Sequence, residues 1–171
     1  MSLAAPMRNT WATEIAVENN ARSGPFWDMI EGRSPMPATS RLLGWKLLAL
    51  DPAAGTIRVE FAAVLDFMNA IGTIQGGIIT AMLDDAMGPV ATAFLGGHHM
   101  APTVELKTNF MRPATVGPLF VEARVVHRGR DIVFLEGAMR NKEDKLIATG
   151  TATARIYDWP KAPNIHSKGR L

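Results

Sequence analysis

The chain has 171 residues, of which 47% are hydrophobic and 20% charged, so one globular domain is expected and disorder throughout is excluded. It contains no cysteine, which excludes disulfides, Cys-ligated zinc and thiol nucleophiles. The formal net charge of +2 favours an anionic ligand, but no run of Arg and Lys interleaved with aromatic residues indicates nucleic-acid binding.

The N-terminal part predicts a short-helical lead-in. Residues 1–20 carry charges throughout and lack the apolar centre of a signal peptide, so a cytoplasmic location is expected. Residues 10–31 predict short helical pieces, broken by Gly24-Pro25 and by Ser34-Pro35-Met36-Pro37. We therefore assign residues 1–40 to the lead-in.

A β-hairpin follows. Residues 41–50 predict a strand, 51–55 a turn, and 56–61 a second strand. In the second strand Ile57, Val59 and Phe61 share one face.

One long helix is predicted from Gly76 to Phe94, with Gly96-Gly97 as its terminator. One stripe is expected to face a sheet; it comprises Ile79, Met82, Ala86, Val90 and Ala93. The opposite side carries small residues around one carboxylate: Gly77, Thr80, Ala81, Asp84 and Gly88. That side suits close approach by another backbone or a ligand. The apolar stretch 61–83 is interrupted by polar residues and glycines, so no membrane span is predicted.

Four more strands are predicted after the helix, within residues 104–110, 119–125, 132–139 and 146–156. In the last of them a face of small residues would let a helix lie close; it comprises Ala148, Gly150, Ala152 and Ala154. Consecutive strands with short turns form antiparallel sheet, so the fold class is α+β. The domain is expected over residues 41–157, and residues 158–171 are expected to form a flexible tail.

The start of the long helix is where chemistry is expected. Gly76 would expose an unpaired N–H group at the positive end of the helix dipole, which suits a carbonyl oxygen that gains negative charge. Asp84 lies eight residues later, about 12 Å along the axis at ~1.5 Å per residue. If both groups act on one substrate, the Asp must come from a second chain.

These residues resemble a known family. The pattern Asn69-x-x-Gly72-x-x-Gln75-Gly76-Gly77 followed by Asp84 resembles the hotdog-fold acyl-CoA thioesterases of the phenylacetate-degradation (PaaI-like) type. The resemblance implies a curved antiparallel β-sheet wrapped around one long central helix. It also implies a homodimer or a dimer of dimers (homotetramer) with active sites at the subunit interface. No cofactor or metal is implied, since coenzyme A is part of the acyl-CoA substrate.

The resemblance also implies residue roles. The Gly76 N–H would bind the thioester carbonyl, and the partner's Asp84 would act as general base or nucleophile. Asn69 would hold the substrate or the attacking water, and Thr103 would place that water. Gln75 stands where His is usual in the family, and its amide cannot titrate near neutral pH.

Several residues keep a second interpretation. Asp84 could be a solvated helix residue, with Asp85 as the active acid instead. Asn69, Gln75 and Gly77 could serve only the turn and the helix start. Arg128 and Arg130 could form a phosphate clamp for coenzyme A or a solvated turn. Phe67, Met68 and Phe110 are candidates to line an acyl pocket. His98-His99 is disfavoured as a metal site because adjacent side chains point apart.

The motifs that are missing restrict the chemistry further. No Gly-x-Ser-x-Gly elbow, P-loop or dinucleotide Gly-x-Gly-x-x-Gly is present. The sequence therefore predicts thioester hydrolysis by carboxylate, backbone amide and water. One alternative is a non-catalytic acyl-CoA-binding hotdog protein, suggested by Gln75. A hydratase on the same fold is disfavoured because no His occurs from Gly76 to Gly97.

Overall fold

The computed structural model describes residues 22–159. The predicted helical pieces before residue 22 and the predicted tail from residue 160 lie outside the described residues. The described part of the chain contains three α-helices, α1 (Pro25–Ile30), α2 (Ala38–Leu42) and α3 (Gly76–Phe94), and a short 3-10 helix at Leu65–Phe67. Eight strands are present: β1 (Lys46–Asp51), β2 (Thr56–Ala63), β3 (His99–Met100), β4 (Thr103–Phe110), β5 (Gly117–Arg128), β6 (Ile132–Asn141), β7 (Leu146–Arg155) and β8 (Tyr157–Asp158).

The lead-in differs from the sequence prediction at two points. Gly24 is the N-cap of α1 and Pro25 is its first residue, so this pair starts a helix instead of breaking one. Proline suits that position because its missing N–H would have no helical partner. The predicted strand over residues 41–50 was wrong in its first part, which belongs to α2; Gly44, at φ 67°, turns the chain before β1 begins at Lys46.

Six strands form one antiparallel sheet in the order β1-β2-β5-β6-β7-β4. The hairpin and the four later strands are therefore confirmed as elements. However, β4 does not pair with β5, its neighbour in the chain, but with β7 at the far edge of the sheet. The edge position leaves one side of β4 without a partner strand among residues 22–159.

Helix α3 packs on one face of this sheet and contacts β2, β4, β5, β6 and β7. All five residues of its predicted sheet-facing stripe are buried. Gly137 and Gly150 face each other on β6 and β7, and a Cβ on either would lie 3.4 Å from a side chain of α3. The small-residue face predicted for β7 is thus confirmed, because it lets Leu83 and Met87 approach the sheet.

The described end of the chain is paired. Strand β8 pairs with β3, and the Trp159 N–H donates to the carbonyl of His98 at 3.0 Å. Residues 158 and 159 therefore lie against the segment that follows α3. The sequence predicts these two residues as the start of the flexible tail.

Pro89 lies inside α3 and has no N–H to give to the carbonyl of Asp85, four residues earlier. The indole of Trp45 supplies that donor, with Nε1 2.9 Å from the Asp85 carbonyl oxygen. This contact connects the segment between α2 and β1 to the middle of the long helix.

We expect Trp45→Phe to lower the free energy of unfolding by about 1–3 kcal/mol, because the Asp85 carbonyl then lacks a donor and the side chain loses volume. In a Pro89→Ala background the residue 89 N–H can take over, so the loss should be smaller by about 1 kcal/mol. Urea unfolding of the four proteins measures the difference. Equal losses in both backgrounds would contradict this account of Trp45.

Candidate active site

The turn before α3 is organised by Asn69. Its Oδ1 accepts hydrogen bonds from the backbone N–H groups of Ile71 and Thr73, and its Nδ2 donates to the Thr73 hydroxyl at 2.9 Å. This turn leaves one Nδ2 proton of Asn69 for another acceptor. The side chain is therefore built into the turn and could give at most one further hydrogen bond to a substrate.

The start of α3 presents free amide groups. Gln75 is the N-cap, with an exposed side chain that makes no capping hydrogen bond, and its carbonyl accepts from Ile78 and Ile79. Within residues 22–159, no acceptor is recorded for the N–H groups of Gly76 and Gly77. These two amides can receive an oxygen that carries negative charge.

An aromatic ring stands over that helix start. A Cβ built on Gly76 would lie 3.2 Å from Cζ of Phe110, whereas one built on Gly77 would meet nothing within 4 Å. Phe110 is 54% exposed at the end of β4. The start of α3 at Gly76 therefore adjoins an aromatic ring that is open to solvent.

Asp84 and Thr103 are brought together within one chain. The Thr103 hydroxyl donates to Oδ1 of Asp84 at 2.7 Å. A β-bulge explains why Thr103 reaches the helix: Thr103 pairs with Ala154 although Glu105 pairs with Thr153. Without this extra residue, strand alternation would place Thr103 on the outer face of the sheet.

The two halves of the expected site lie apart in one chain. Phe110 and Thr103 are opposite ends of β4, about 23 Å apart at ~3.3 Å per residue. Phe110 covers Gly76, whereas Thr103 binds Asp84. A single chain therefore holds an amide half at one end of β4 and an acid half at the other.

The side chain of Asp85 points in a different direction from that of Asp84. Its Oδ1 accepts from the buried hydroxyl of Ser40 at 3.0 Å, and its Oδ2 is buried without a hydrogen-bond partner in the described part of the chain. Burial raises the pKa of Asp85 from 3.8 to about 6; the Ser40 hydrogen bond acts in the opposite direction and the charge of Asp84 adds to the rise. The sequence indicates Asp85 only as a competitor for the catalytic role and gives no sign of this environment.

A cavity of about 240 Å³ lies beside Asp85. It is lined by the lead-in helices, by the middle of α3, and by the segments around residues 100–102 and 159, and it is open to solvent on one side. The apolar run Phe26-Trp27 with Met29-Ile30 in the lead-in was the available sequence signal for such a wall. The prediction of a lead-in over residues 1–40 did not include this role.

The raised pKa of Asp85 predicts a pH-dependent stability. The folded chain binds the proton of the Asp85 carboxyl more tightly than the unfolded chain does. Protonated Asp85 therefore stabilises the fold at low pH, and this stabilisation is lost as pH rises through about 6. We expect the free energy of unfolding of Asp85→Asn, relative to that of wild type, to be about 1–2 kcal/mol higher at pH 7.5 than at pH 4. The expected difference is modest because Asp85 is partly open to solvent, which screens its charge. Urea unfolding at both pH values measures this gain. A difference that does not change with pH would exclude it.

The other predicted site residues occupy distinct places. Phe67 is buried in the core and Met68 packs against it. Arg128 is exposed at the end of β5, and Arg130 is exposed in the turn to β6, bound to Asp131. Arg128 on β5 lines up with Thr103 on β4 through the paired residues of β6 and β7. The backbones of these two residues are three strand spacings apart, about 14 Å at ~4.8 Å each.

Two negative findings apply to residues 22–159. No group of three His, Asp or Glu side chains is placed to hold a metal ion; His99 contacts the Leu95 carbonyl and Asp158. No helix in the described part of the chain is long and apolar enough to cross a membrane.

The fold and the motif define the class of protein. Residues 71–148 match the family described as the thioesterase superfamily, and the chain belongs to it. The α+β architecture, with a six-stranded antiparallel sheet and one long helix, is the hotdog fold of its structural relatives. The protein is a thioester hydrolase.

Individual relatives agree with this assignment. Acyl-coenzyme A thioesterase 13 of Homo sapiens is 30% identical over 120 residues, which cover 68% of this chain and 83% of that protein. A phenylacetic acid degradation-related protein of Ralstonia eutropha is 37% identical with a TM-score of 0.73, covering 76% of this chain and 98% of that one. The PaaI protein of Escherichia coli shares the fold at 19% identity, with a TM-score of 0.69 and coverage of 77% and 93%.

Proposed function

We propose that this protein is an acyl-CoA thioesterase whose active site is completed by two subunits. The amide half, at the start of α3 in one subunit, would face the acid half, Asp84 with Thr103, of its partner. The observation that carries this proposal is the position of β4 between the two halves.

The exposed edge of β4 supports a two-fold dimer. Three apolar residues on or next to this strand are largely exposed: Val104 at 67%, Phe110 at 54% and Met111 at 47%. An edge strand with this much exposed apolar surface is typical of a protein–protein interface. Antiparallel pairing of β4 with its copy would cover part of this surface. It would also bring the Phe110 end of one strand to the Thr103 end of the other, so that Gly76 faces Asp84 across the interface.

In this site the Gly76 N–H would bind the thioester oxygen and stabilise the charge that develops there. Thr103 holds Oδ1 of Asp84, which leaves Oδ2 to take a proton from water. The water oxygen bonds to the acyl carbon, the C–S bond breaks, and the proton passes from Asp84 to the leaving thiolate. Attack by Asp84 itself as nucleophile is the second route for the same residues.

Gln75 and Asn69 would bind without titrating. The exposed Gln75 amide adjoins the free N–H groups and can hydrogen-bond the substrate, while Asn69 retains one N–H for it. Arg128 and Arg130 would bind phosphate groups of coenzyme A, since they lie at the Thr103 end of the sheet. A dimer of dimers is the larger assembly that we propose.

A thiol-release assay tests the function directly. Wild type should release coenzyme A from at least one ester in a panel of short, medium, long and aromatic acyl-CoA esters. Equilibrium binding measured beside it separates a hydrolase from a non-catalytic binder. Tight binding of acyl-CoA without thiol release from any ester would refute the proposed function.

A further inference from the structure

The cavity beside Asp85 adjoins the acid half of the site. Two of its lining residues, Asp85 and Pro102, are the chain neighbours of Asp84 and Thr103, which hydrogen-bond to each other. An acyl carbon held at Asp84 would therefore lie close to residues that line this cavity. Gly88, one helical turn beyond Asp84, also lines it.

The cavity is mostly apolar and of modest size. Its walls include Phe26, Met29 and Trp45. A cavity of roughly 150 Å³ is enough to hold benzene. A cavity of about 240 Å³ would accept one ring or a chain of about six to eight carbons.

Gly88 limits how far an acyl group can enter. A Cβ built on Gly88 would meet no atom of the rest of the fold within 4 Å, so a side chain at this position would extend into the cavity space. Gly88 precedes Pro89 inside α3, and the proline ring crowds a Cβ on the preceding residue, so a larger residue there also strains the helix backbone. That strain would affect all acyl chain lengths alike, whereas a shorter cavity affects only the longer ones.

Asp85 gives the cavity its electrostatic character. Within residues 22–159, its Oδ2 has no hydrogen-bond partner and no Lys, Arg or His lines the cavity. A second carboxylate placed beside it would be repelled without a cation to offset the repulsion.

We infer that this cavity receives the acyl group, that Gly88 sets the acceptable length, and that Asp85 excludes acyl groups ending in a carboxylate. The preferred substrates are then uncharged acyl groups of up to one ring or about eight carbons. The inference rests on the proposed function, and it adds the substrate class and two specificity-determining residues.

The test compares kcat/KM for acetyl-, hexanoyl-, octanoyl- and hexanedioyl-CoA. Wild type should prefer hexanoyl- over hexanedioyl-CoA, which differ in the terminal carboxylate, by about 100-fold. Asp85→Asn should reduce this preference about tenfold. Gly88→Leu should lower the ratio of octanoyl to acetyl turnover about tenfold.

Asp144→Asn is the matched control, because it removes an exposed carboxylate in the turn between β6 and β7 and should change neither ratio. An unchanged preference in Asp85→Asn, or an equal loss on all chain lengths in Gly88→Leu, would overturn the inference while leaving the hydrolase intact. Absence of thiol release from every ester with wild type would overturn both the inference and the proposed function.

Discussion

Asp84→Asn should lower kcat for thiol release by about 10²–10⁴-fold, since an amide cannot take the proton of water. The variant should stay folded, because the Asn oxygen can still accept the Thr103 hydrogen bond that Asp84 accepts at 2.7 Å. Far-UV circular dichroism and the binding of acyl-CoA serve as controls. Near wild-type turnover would show that Asp84 is not the base.

The two routes open to Asp84 differ in where the oxygen of water first appears. With enzyme in excess and labelled water, a general base delivers the label to the released acid in the first turnover. A nucleophilic Asp84 forms a mixed anhydride with the acyl group, and water that attacks the Asp84 carbonyl of this anhydride leaves its oxygen in the Asp84 carboxylate, so label in that residue identifies the nucleophilic route. Mass spectrometry of the acid and of the peptide that contains Asp84 separates the routes.

Gly76→Pro should lower kcat by about 10²–10³-fold by removing the N–H proposed to bind the oxyanion. The backbone tolerates this change: residue 76 is the first of α3, where proline is favoured, and Gln75 has φ −59° and ψ 132°, which suit a residue before proline. Gly76→Ala is the matched control, since it places a Cβ near the same Phe110 ring but keeps the N–H. Equal losses in the two variants would attribute the effect to Phe110, not to the amide.

Heterodimers of these variants test the shared site. If Gly76 and Asp84 act across the interface, a dimer with Asp84→Asn in one subunit and Gly76→Pro in the other keeps one intact site. It should retain about half of wild-type activity. A dimer with both substitutions in the same subunit and none in its partner should be nearly inactive. The reverse outcome would place both groups in one subunit and overturn the dimeric site.

The long helix and its sheet-facing stripe followed from sequence because both depend on local periodicity. Ile79, Met82 and Val90 repeat at helical spacing, and Gly96-Gly97 supplies the left-handed termination that few other residues allow. The small residues of β7 likewise predicted close approach, which Gly150 provides. Such signals involve neighbours in the chain and need no knowledge of the tertiary fold.

Other features depended on contacts distant in sequence. Alternation along β4 puts Thr103 on the outer face, and only the bulge against β7 turns it to Asp84. The predicted strand over residues 41–50 was wrong at its start because Ser40 and Trp45 bind Asp85, more than thirty residues away. No local pattern encodes these contacts.

The sequence by itself determined the order of the hairpin, the long helix and the four later strands, the helix that carries Gly76 and Asp84, and the membership of the family that its motif resembles. The tertiary structure decided that β4 lies at the sheet edge, that Asp84 is bound to Thr103, and that Asp85 faces a cavity. The physical reason is that hydrophobic periodicity and glycine geometry act over a few residues, whereas strand order, bulges and burial of a carboxyl result from packing between distant segments.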